Sequence, residues 1–430
     1  MDGDQGFPGR VDPDVVIIGG GVVGLFCAQQ LRRRGAAVTV LERGGLGGPQ
    51  SCSSGNTGFV GTHGAAPLAE PGMLALAVPG ATDPDSPWYI EPRRDADLAR
   101  WLAHFRRACS ADAAVDGFRA LIGMKKRSLA ILLDLCGSSE ELAALLESPG
   151  IVLAFKTAQG FAEASKAVAR TVAGGVPLRV LEPGELDELA PKTTFDIHGA
   201  LYNPEGAYLH VPDFVLEFGR VLRESGVEIH EHTEVIDFGV QGRNVVRLST
   251  TRGELRPGTV VIAAGAWSAE CARMVGVDLL LQPIKGHSLT VAAPPSAPGL
   301  PVLLSEARVA MVPLGDRVRI GGQLELTGMS DTVSERRIRA LLKAVREYLP
   351  GFEDTPTVQT WSGLRPCTPD SLPLVGPAGD LRNLLVAAGH GHIGMGLAPA
   401  TGELVSQLLA GEYPITDPIP LRPNRFDPSH

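Results

Sequence analysis

Three glycines near the N-terminus are spaced so that they could bind a phosphate group. Gly19, Gly21 and Gly24 fit the pattern GxGxxG between an apolar run and a segment with helical periodicity. Gly19 permits a tight turn, Gly21 lets the backbone approach a pyrophosphate, and Gly24 allows close packing of helix on strand. The helix start at Val22 and Val23 offers free N–H groups to phosphates. We predict a dinucleotide site, although a glycine turn in an ordinary α/β fold would have the same pattern.

An acidic residue follows at a distance suited to ribose recognition. Glu42 ends the second apolar run, 18 residues beyond Gly24. Its carboxylate would accept hydrogen bonds from ribose hydroxyls and would repel a 2′-phosphate. Glu42 and the adjacent Arg43 are therefore included in the predicted cofactor site.

The segment from Gly47 to Phe59 is a loop rich in small polar residues. Such side chains could bond phosphate and flavin edge atoms without crowding them, and a nicotinamide enzyme has no need of this loop. FAD therefore fits better than NAD, although a flexible surface loop would have a similar composition. The residues assigned to the FAD site from this loop are Ser53, Ser54, Asn56, Thr57 and Gly58.

Two later segments could also contact FAD. Residues 260–268 indicate a buried strand that runs into small residues, against which a dinucleotide could lie, although a core strand with a tight turn would look the same. A second GxGxxG spans 389–394, but no second strand with a terminal acid follows it, so we reject a second dinucleotide site. A helix starting there would stabilise negative charge at N1 and C2=O of reduced flavin. The residues assigned from these parts of the chain are Val235, Ala264, Gly265, Trp267, Gly391, His392, Ile393, Gly394 and Met395.

The elements that must position these residues follow from the apolar periodicity. A strand at 14–19, a helix at 20–34 and a strand at 36–41 form a βαβ unit, whose strands pair in parallel. Further predicted helices are 95–110, 115–135, 138–147, 163–172, a helix start within 181–190, 212–225, 333–349 and 393–410. Further predicted strands are 227–231, 234–240, 244–250, 259–264, several within 281–323, and 384–388.

These elements predict an α/β fold with an α+β substrate domain. A Rossmann-like FAD-binding domain would be assembled from distant segments, and the intervening ones would build a second, mixed-sheet substrate-binding domain. The predicted FAD-binding segments are 14–80, 200–280 and 362–418. The predicted substrate-binding segments are 81–199 and 281–361, and the tails are 1–13 and 419–430.

Composition excludes several classes of protein. The chain has 430 residues and a net charge of −9, which argues against nucleic-acid binding. The basic run Lys125–Lys126–Arg127 is interpreted as a solvated helix face. Six cysteines without a CxxC pair argue against a zinc site and against a disulfide scaffold. Without a signal peptide in 1–13 or an apolar run of about 18 residues, we expect a cytoplasmic protein with at most peripheral contact to the inner face of the cell membrane.

Taken together, these motifs resemble the D-amino-acid oxidase superfamily of FAD enzymes, and in particular the bacterial D-amino-acid dehydrogenase and D-hydroxyproline dehydrogenase group. The most specific matches are 361–370 (WSGLRPCTPD), 373–376 (PLVG) and 388–391 (AGHG). Further matching segments are 15–42, 51–71, 86–109, 199–213, 260–268, 282–288 and the rest of 361–397. The resemblance therefore extends over nearly the whole chain.

The resemblance implies oxidation of a Cα–N bond, with hydride passing from Cα to flavin N5 and the imine hydrolysing to a 2-oxo acid and ammonia. A cyclic amino acid such as D-proline or D-hydroxyproline would instead give a cyclic imine. Arg365 matches the arginine that pairs with the substrate carboxylate, and a guanidinium suits that task because it binds a carboxylate by two parallel bonds. His63 and His390 are further candidates for the catalytic site. No role is assigned to Lys285, which precedes His287 by two residues.

Three functions remain open at this point. The first is a D-amino-acid dehydrogenase that passes electrons to a quinone or another carrier. The second is an oxidase that uses oxygen on glycine, sarcosine or another secondary amine, and the third is a non-catalytic assembly subunit with a structural flavin. Sarcosine-oxidase-like members hold FAD through a histidine in the loop that corresponds to 51–58, which has none here. We therefore predict noncovalent FAD and no metal, and we leave oligomerisation open.

Overall fold

The computed structural model describes residues 12–73, 86 and 88–427. The predicted boundary between residues 80 and 81 and nearly all of the predicted N-terminal tail lie outside these residues. Within the described part of the chain, no helix is both long enough and apolar enough to cross a membrane.

A six-stranded sheet carries the predicted βαβ unit. Its first five strands are parallel, and a final hairpin adds one antiparallel strand. Three of its strands, Val15–Ile18, Val38–Leu41 and Leu384–Ala388, are fully buried and apolar except for Thr39, as expected for a parallel sheet that is covered on both faces. In spatial order the strands are Glu228–His230, Val38–Leu41, Val15–Ile18, Thr259–Ile262, Leu384–Ala388 and Leu374–Pro377.

Helices Val22–Arg33 and Gly394–Leu409 pack against each other on one face of this sheet. Their contact is very close, because a Cβ on Gly402 would lie 2.4 Å from the carbonyl oxygen of Phe26. One helix comes from the start of the chain and the other from its end, so the sheet and its cover are assembled from distant segments. The other described helices are Ala96–Ala108, Ala111–Gly137, Glu140–Ala143, Ala158–Ala173, Glu185–Leu189, Val211–Glu224, Ser268–Arg273 and Glu335–Tyr348.

A nine-stranded mixed sheet forms the second layer. Helix Glu335–Tyr348 covers one of its faces and buries Leu341 and Val345 against the strands. In spatial order its strands are Thr357–Cys367, Gln282–Ala292, Arg317–Leu326, Val309–Leu314, Val302–Leu304, Ile151–Phe155, Gly199–Asn203 and Arg179–Val180, with Trp88–Ile90 paired to Arg317–Leu326. Two small sheets complete the strands: Val235–Gln241 with Asn244–Thr250 and Gly253–Leu255, and Phe59–Val60 with Ala207–Leu209 and Leu146–Glu147.

The predicted fold class is confirmed: a mainly parallel sheet of distant segments stands beside a mixed sheet. The strand Thr357–Cys367 was not predicted from the sequence. Its first four residues, Thr357 to Thr360, are exposed and hide the strand pattern. This strand and Gly199–Asn203 both belong to the nine-stranded sheet, although the predicted segments placed parts of them with the FAD-binding domain. The division into domains remains a proposal.

Candidate active site

An elongated cleft opens at the carboxyl ends of the parallel strands. Such a crevice is where open α/β sheets bind ligands. It extends from the end of Val38–Leu41, past the glycine loop, to the turn after Leu384–Ala388. The predicted cofactor residues that line it are Gly19, Gly21, Val22, Val23, Glu42, Arg43, Ser53, Asn56, Val235, Ala264, Gly265, Trp267, Gly391, Gly394 and Met395. Those that do not line it are Gly24, Ser54, Thr57, Gly58, His392 and Ile393.

The glycine loop has the geometry that its spacing predicts. Gly19 has a φ of +114°, and a Cβ there would lie 2.4 Å from the carbonyl oxygen of Ala263. A Cβ on Gly24 would lie 1.9 Å from the carbonyl oxygen of Gly19, so Gly24 serves helix packing rather than the ligand. Gly21 is different, because its hypothetical Cβ meets only Ser53 Oγ, at 3.6 Å. A phosphate can therefore approach the backbone at Gly21.

Glu42 is held at the edge of the cleft by two backbone donors. Its Oε2 accepts a hydrogen bond from Gly20 N at 2.7 Å, and its Oε1 accepts one from Gly44 N at 2.8 Å. Each carboxylate oxygen has a further lone pair, so the side chain can still accept hydrogen bonds from ribose hydroxyls.

An aromatic platform closes this end of the cleft. The guanidinium of Arg43 stacks on the Trp267 ring at 4.2 Å from its centroid, and Arg43 Nη1 lies 3.9 Å from Glu234 Oε1. Val235 lines the same end. A flat ring and a stacked guanidinium suit an adenine base.

The polar loop is attached to the nine-stranded sheet. Arg319 Nη1 donates to the carbonyl oxygens of Ser54 at 2.8 Å and Asn56 at 3.2 Å. The Trp361 ring occupies the space over Gly55, where a Cβ would lie 2.0 Å from the ring. Sequence reasoning missed Arg319 and Trp361 as residues that hold the loop, because both come from strands more than 250 residues away.

Thr57 and Gly58 support the loop rather than line the cleft. The methyl group of Thr57 would lie 3.0 Å from a Cβ on Gly321, and a Cβ on Gly58 would lie 2.1 Å from the carbonyl oxygen of Leu209. Asn56 Nδ2 donates to the carbonyl oxygen of His392 at 3.2 Å, which connects the loop to the last glycine turn.

At the far end of the cleft lies the turn that precedes helix Gly394–Leu409. The His390 backbone pairs with Cys367, and its ring nitrogen Nε2 lies 2.9 Å from Thr401 Oγ1 in the interior. Burial lowers the pKa of His390 to about 3, so the ring is neutral at physiological pH. A positioning role fits this arrangement better than proton transfer.

His392 follows in the same turn and is reached by solvent. The protein packed around its ring nevertheless lowers its pKa to about 3, chiefly by desolvation and further through the positive charges of Arg365, Lys125 and Arg308. Its neighbour Gly391 lines the cleft.

Arg365 lies in the strand Thr357–Cys367 and reaches across the neighbouring strand. Its Nη1 donates to the carbonyl oxygen of Gln323 at 2.6 Å, and its Nη2 donates to that of Gly322 at 3.4 Å. Gln323 has a φ of +66°, unusual for a residue with a side chain, and it forms a bulge that turns these carbonyls toward the guanidinium. No carboxylate of the described residues lies within 4.0 Å of Arg365. The side chain is half-buried, and desolvation lowers its pKa from 12.5, so it is a charged group that lacks an anion.

His63 packs its ring edge against the ring of Phe59 at a centroid distance of 4.9 Å. Burial, and next the charge of Lys125, hold its pKa well below 6.5. Lys125 is only 2% exposed, which corrects its interpretation as part of a solvated face. The run Lys125–Lys126–Arg127 has one residue pointing inward because helix Ala111–Gly137 packs on helix Gly394–Leu409.

Lys285 and His287 lie away from the cleft, in a buried ionic cluster next to helix Glu335–Tyr348. Lys285 Nζ is 3.6 Å from Glu325 Oε2, and Arg337 Nε is 2.5 Å from Glu325 Oε1. His287 Nε2 accepts a hydrogen bond from Ser334 N at 3.2 Å. The cluster therefore connects the sheet, through Glu325, to its covering helix, through Arg337.

The residues present fit FAD. The cleft brings together an adenine-type platform, a ribose acceptor, a phosphate-accessible glycine turn and a helix start, which are the kinds of group that this molecule needs. Ser54 Oγ, next in the chain to Ser53, which lines the cleft, is buried without a hydrogen-bond partner among the described residues. Unpaired buried atoms of this kind are expected where a ligand completes the site.

Comparison with known proteins agrees with this geometry. Residues 14–408 match the family described as FAD dependent oxidoreductase (DAO). The chain is 29% identical over 417 residues to a D-amino acid dehydrogenase of Granulibacter bethesdensis, with 96% of this chain and 99% of that protein covered. It is 30% identical over 432 residues to a D-amino acid dehydrogenase of Agrobacterium fabrum, with 96% and 99% covered.

Among solved structures, glycine oxidase from Geobacillus kaustophilus superposes with a TM-score of 0.76 at 26% sequence identity. The superposition covers 96% of this chain and 98% of that one. The match over 14–408 includes the glycine loop, the polar loop, Arg365 and the last glycine turn. The chain belongs to the DAO family of FAD-dependent oxidoreductases.

Proposed function

We propose that this enzyme oxidises the Cα–N bond of a D-amino acid, including cyclic ones such as D-proline or D-hydroxyproline. The single observation that carries the proposal is Arg365, a half-buried cation whose described partners are backbone carbonyls. A buried charge without a counter-ion is costly, and an amino-acid carboxylate would supply that counter-ion. The names of the relatives from Granulibacter bethesdensis and Agrobacterium fabrum support the substrate class.

In this proposal Arg365 fixes the substrate by its carboxylate. Two carbonyls already restrain the guanidinium, so its remaining N–H groups can grip a carboxylate with little loss of side-chain freedom. Bound FAD would supply the acceptor for the hydride of Cα. Proximity and orientation then supply much of the rate acceleration.

The protein contributes little basicity in this proposal. The pKa of His390 and that of His392 are both lowered to about 3, and that of His63 is also strongly lowered. None of these rings is a strong proton acceptor near neutral pH. The substrate ammonium is therefore expected to lose its proton to solvent on binding, and the amine lone pair then assists hydride departure.

The test is an anaerobic screen of the FAD-loaded enzyme against paired D- and L-amino acids and proline derivatives. Reduction is measured as loss of flavin absorbance. Bleaching by D-isomers alone supports the proposal, and bleaching by L-isomers alone would overturn its stereochemistry. Peroxide formation on admission of air would favour an oxidase over a dehydrogenase that uses a quinone or carrier. Failure of every amino or imino acid to bleach the flavin would point to a non-catalytic assembly subunit.

A further inference from the structure

A buried lysine lies beside the start of the last helix. Lys125 is 2% exposed, and its Nζ donates to the carbonyl oxygen of Gly61 at 3.2 Å. On its other side is Gly396, where a Cβ would lie 3.1 Å from Lys125 Nζ. The ammonium group thus fills the space that a side chain at residue 396 would occupy.

This lysine lacks the acidic partner that buried cations usually have. Among the described residues, no carboxylate lies within 4.0 Å of Lys125 Nζ. Arg127, two residues further along the same helix, shows the contrast, because it forms a two-point ion pair with Glu403 at 2.7 and 2.5 Å. Burial lowers the pKa of Lys125 to about 8, and no acidic residue offsets that effect.

The position of Lys125 adds a second unfavourable electrostatic interaction, with the dipole of a helix. Gly396 is in the first turn of helix Gly394–Leu409, where the helix dipole carries its positive end, and that turn has no acidic residue. A cation there is repelled by the dipole. Two positive groups therefore meet in the interior without a negative one, which indicates that an anionic ligand completes the arrangement.

The cleft lies next to this arrangement. Gly394 and Met395, which precede Gly396, both line it. The charge of Lys125 also lowers the pKa of His63 and that of His392, which follows the cleft residue Gly391. Arg365 is already suited to the substrate carboxylate, and Arg308 has Glu70 close enough for mutual electrostatic stabilisation. The anion that remains is reduced FAD, which carries a negative charge on its ring after it takes up two electrons and one proton.

We propose that Lys125 supplies a fixed positive charge to the pyrimidine edge of FAD and, with the helix start, stabilises the negative charge that two-electron reduction places there. Lys125 is a positioning residue that acts on the electronics of the cofactor rather than on substrate. The proposal rests on FAD occupying the cleft and does not depend on which amino acid is oxidised.

The experiment compares the holoenzyme with Lys125→Gln, Lys125→Arg and the control Lys126→Gln. Glutamine can still donate to Gly61, so Lys125→Gln removes the charge and keeps the loop contact; Lys126 is exposed on the same helix. The readouts are the midpoint potential of the flavin and the dissociation constant for sulfite, whose complex with flavin is also anionic. For Lys125→Gln we expect sulfite binding at least tenfold weaker and reduced FAD destabilised about tenfold, which is about 30 mV for a two-electron couple. Lys125→Arg and Lys126→Gln are expected to stay within about threefold of wild type.

Two results would overturn the proposal. One is a Lys125→Gln enzyme with wild-type potential and sulfite affinity, which would leave Lys125 only the role of holding Gly61. The other is an unchanged potential with a raised KM, which would assign Lys125 to the substrate carboxylate. If the Lys125→Gln protein loses FAD during purification, the dissociation constants of its apoprotein for oxidised FAD and for reduced FAD are measured instead. By linkage, their ratio gives the shift in midpoint potential. A ratio equal to that of wild type would then contradict the proposal.

Discussion

The guanidinium of Arg365 lies directly on Gly286, so close that a Cβ at residue 286 would be 2.2 Å from Arg365 Cζ. The two residues lie on adjacent strands of the nine-stranded sheet, and Gly286 pairs with Gly363 in the register. The absence of a side chain at 286 is what lets Arg365 cross the strand and reach the carbonyl oxygen of Gln323. The orientation of the proposed carboxylate-binding group therefore depends on Gly286. The strand of Gly286 is next to the strand of the Gln323 bulge in the sheet, although two other strands lie between them along the chain.

The first prediction concerns this contact. Gly286→Ala should displace the guanidinium and lower kcat/KM about 10- to 100-fold, because a misplaced group loses orientation rather than charge. FAD content should not change. The matched control is Gly351→Ala, which adds a methyl group where nothing lies within 4 Å. Steady-state kinetics of both variants give the comparison, and equal kcat/KM for wild type and Gly286→Ala would show that the packing of Arg365 is unimportant.

The second prediction concerns the ribose acceptor. Glu42→Gln should weaken FAD binding about tenfold or more and leave KM for the amino acid unchanged, since Glu42 follows a strand of the six-stranded sheet whereas Arg365 lies in the nine-stranded sheet. Part of the loss will come from the hydrogen bonds that Gly20 N and Gly44 N donate to the carboxylate. Fluorescence titration of the apoprotein with FAD measures the effect, with the exposed Glu335→Gln as control. A Glu42→Gln protein that purifies with a full complement of FAD would count against the assignment.

How far the sequence predicts this site depends on whether the signal is local. Gly19, Gly24 and Glu42 were predicted because strand, turn and helix follow one another within about 30 residues. The sequence did not predict the roles of Gly286, Gln323 and Arg319. Each of them acts on a residue from a distant segment, through the register of the sheet or through a bulge.

Lys125 illustrates the opposite difficulty. Three adjacent basic residues favour a solvated face, and only the packing of two helices decides which of them points inward. The predicted strand Leu384–Ala388 agrees residue for residue with the structure, because five buried apolar positions end at a glycine turn. The strand Thr357–Cys367 was not predicted, because four of its eleven residues are exposed.

The third prediction is that FAD is released when the protein is denatured. Burial raises the pKa of Cys52 to about 11 and that of Cys367 to about 12, so neither thiol near the cleft provides the thiolate that a covalent link would require. Intact mass under denaturing conditions should equal that of the polypeptide alone, with the yellow colour in the filtrate. A mass higher by that of FAD would refute the prediction, and Cys52→Ser would then locate the link.

The fourth prediction concerns pH. With pKa values of about 3, His390 and His392 are neutral both at pH 5 and at pH 8, so neither can add an ionisation to the activity profile in that window. We expect kcat/KM to rise with pH in wild type and in His392→Asn with the same shape, because the substrate ammonium is the group that loses its proton. Disappearance of a transition in His392→Asn would mean that this ring titrates during the reaction.

The most direct test of the central claim is anaerobic mixing of FAD-loaded wild type and Arg365→Ala with the best D-amino acid from the screen. The account predicts rapid loss of flavin absorbance in wild type and, in Arg365→Ala, a bimolecular reduction constant lower by about 100-fold or more, equivalent to about 3 kcal/mol, with FAD content intact. Exposed Arg317→Ala serves as the control from the same sheet. Reduction of Arg365→Ala at the wild-type rate and with the wild-type substrate dependence would contradict the account.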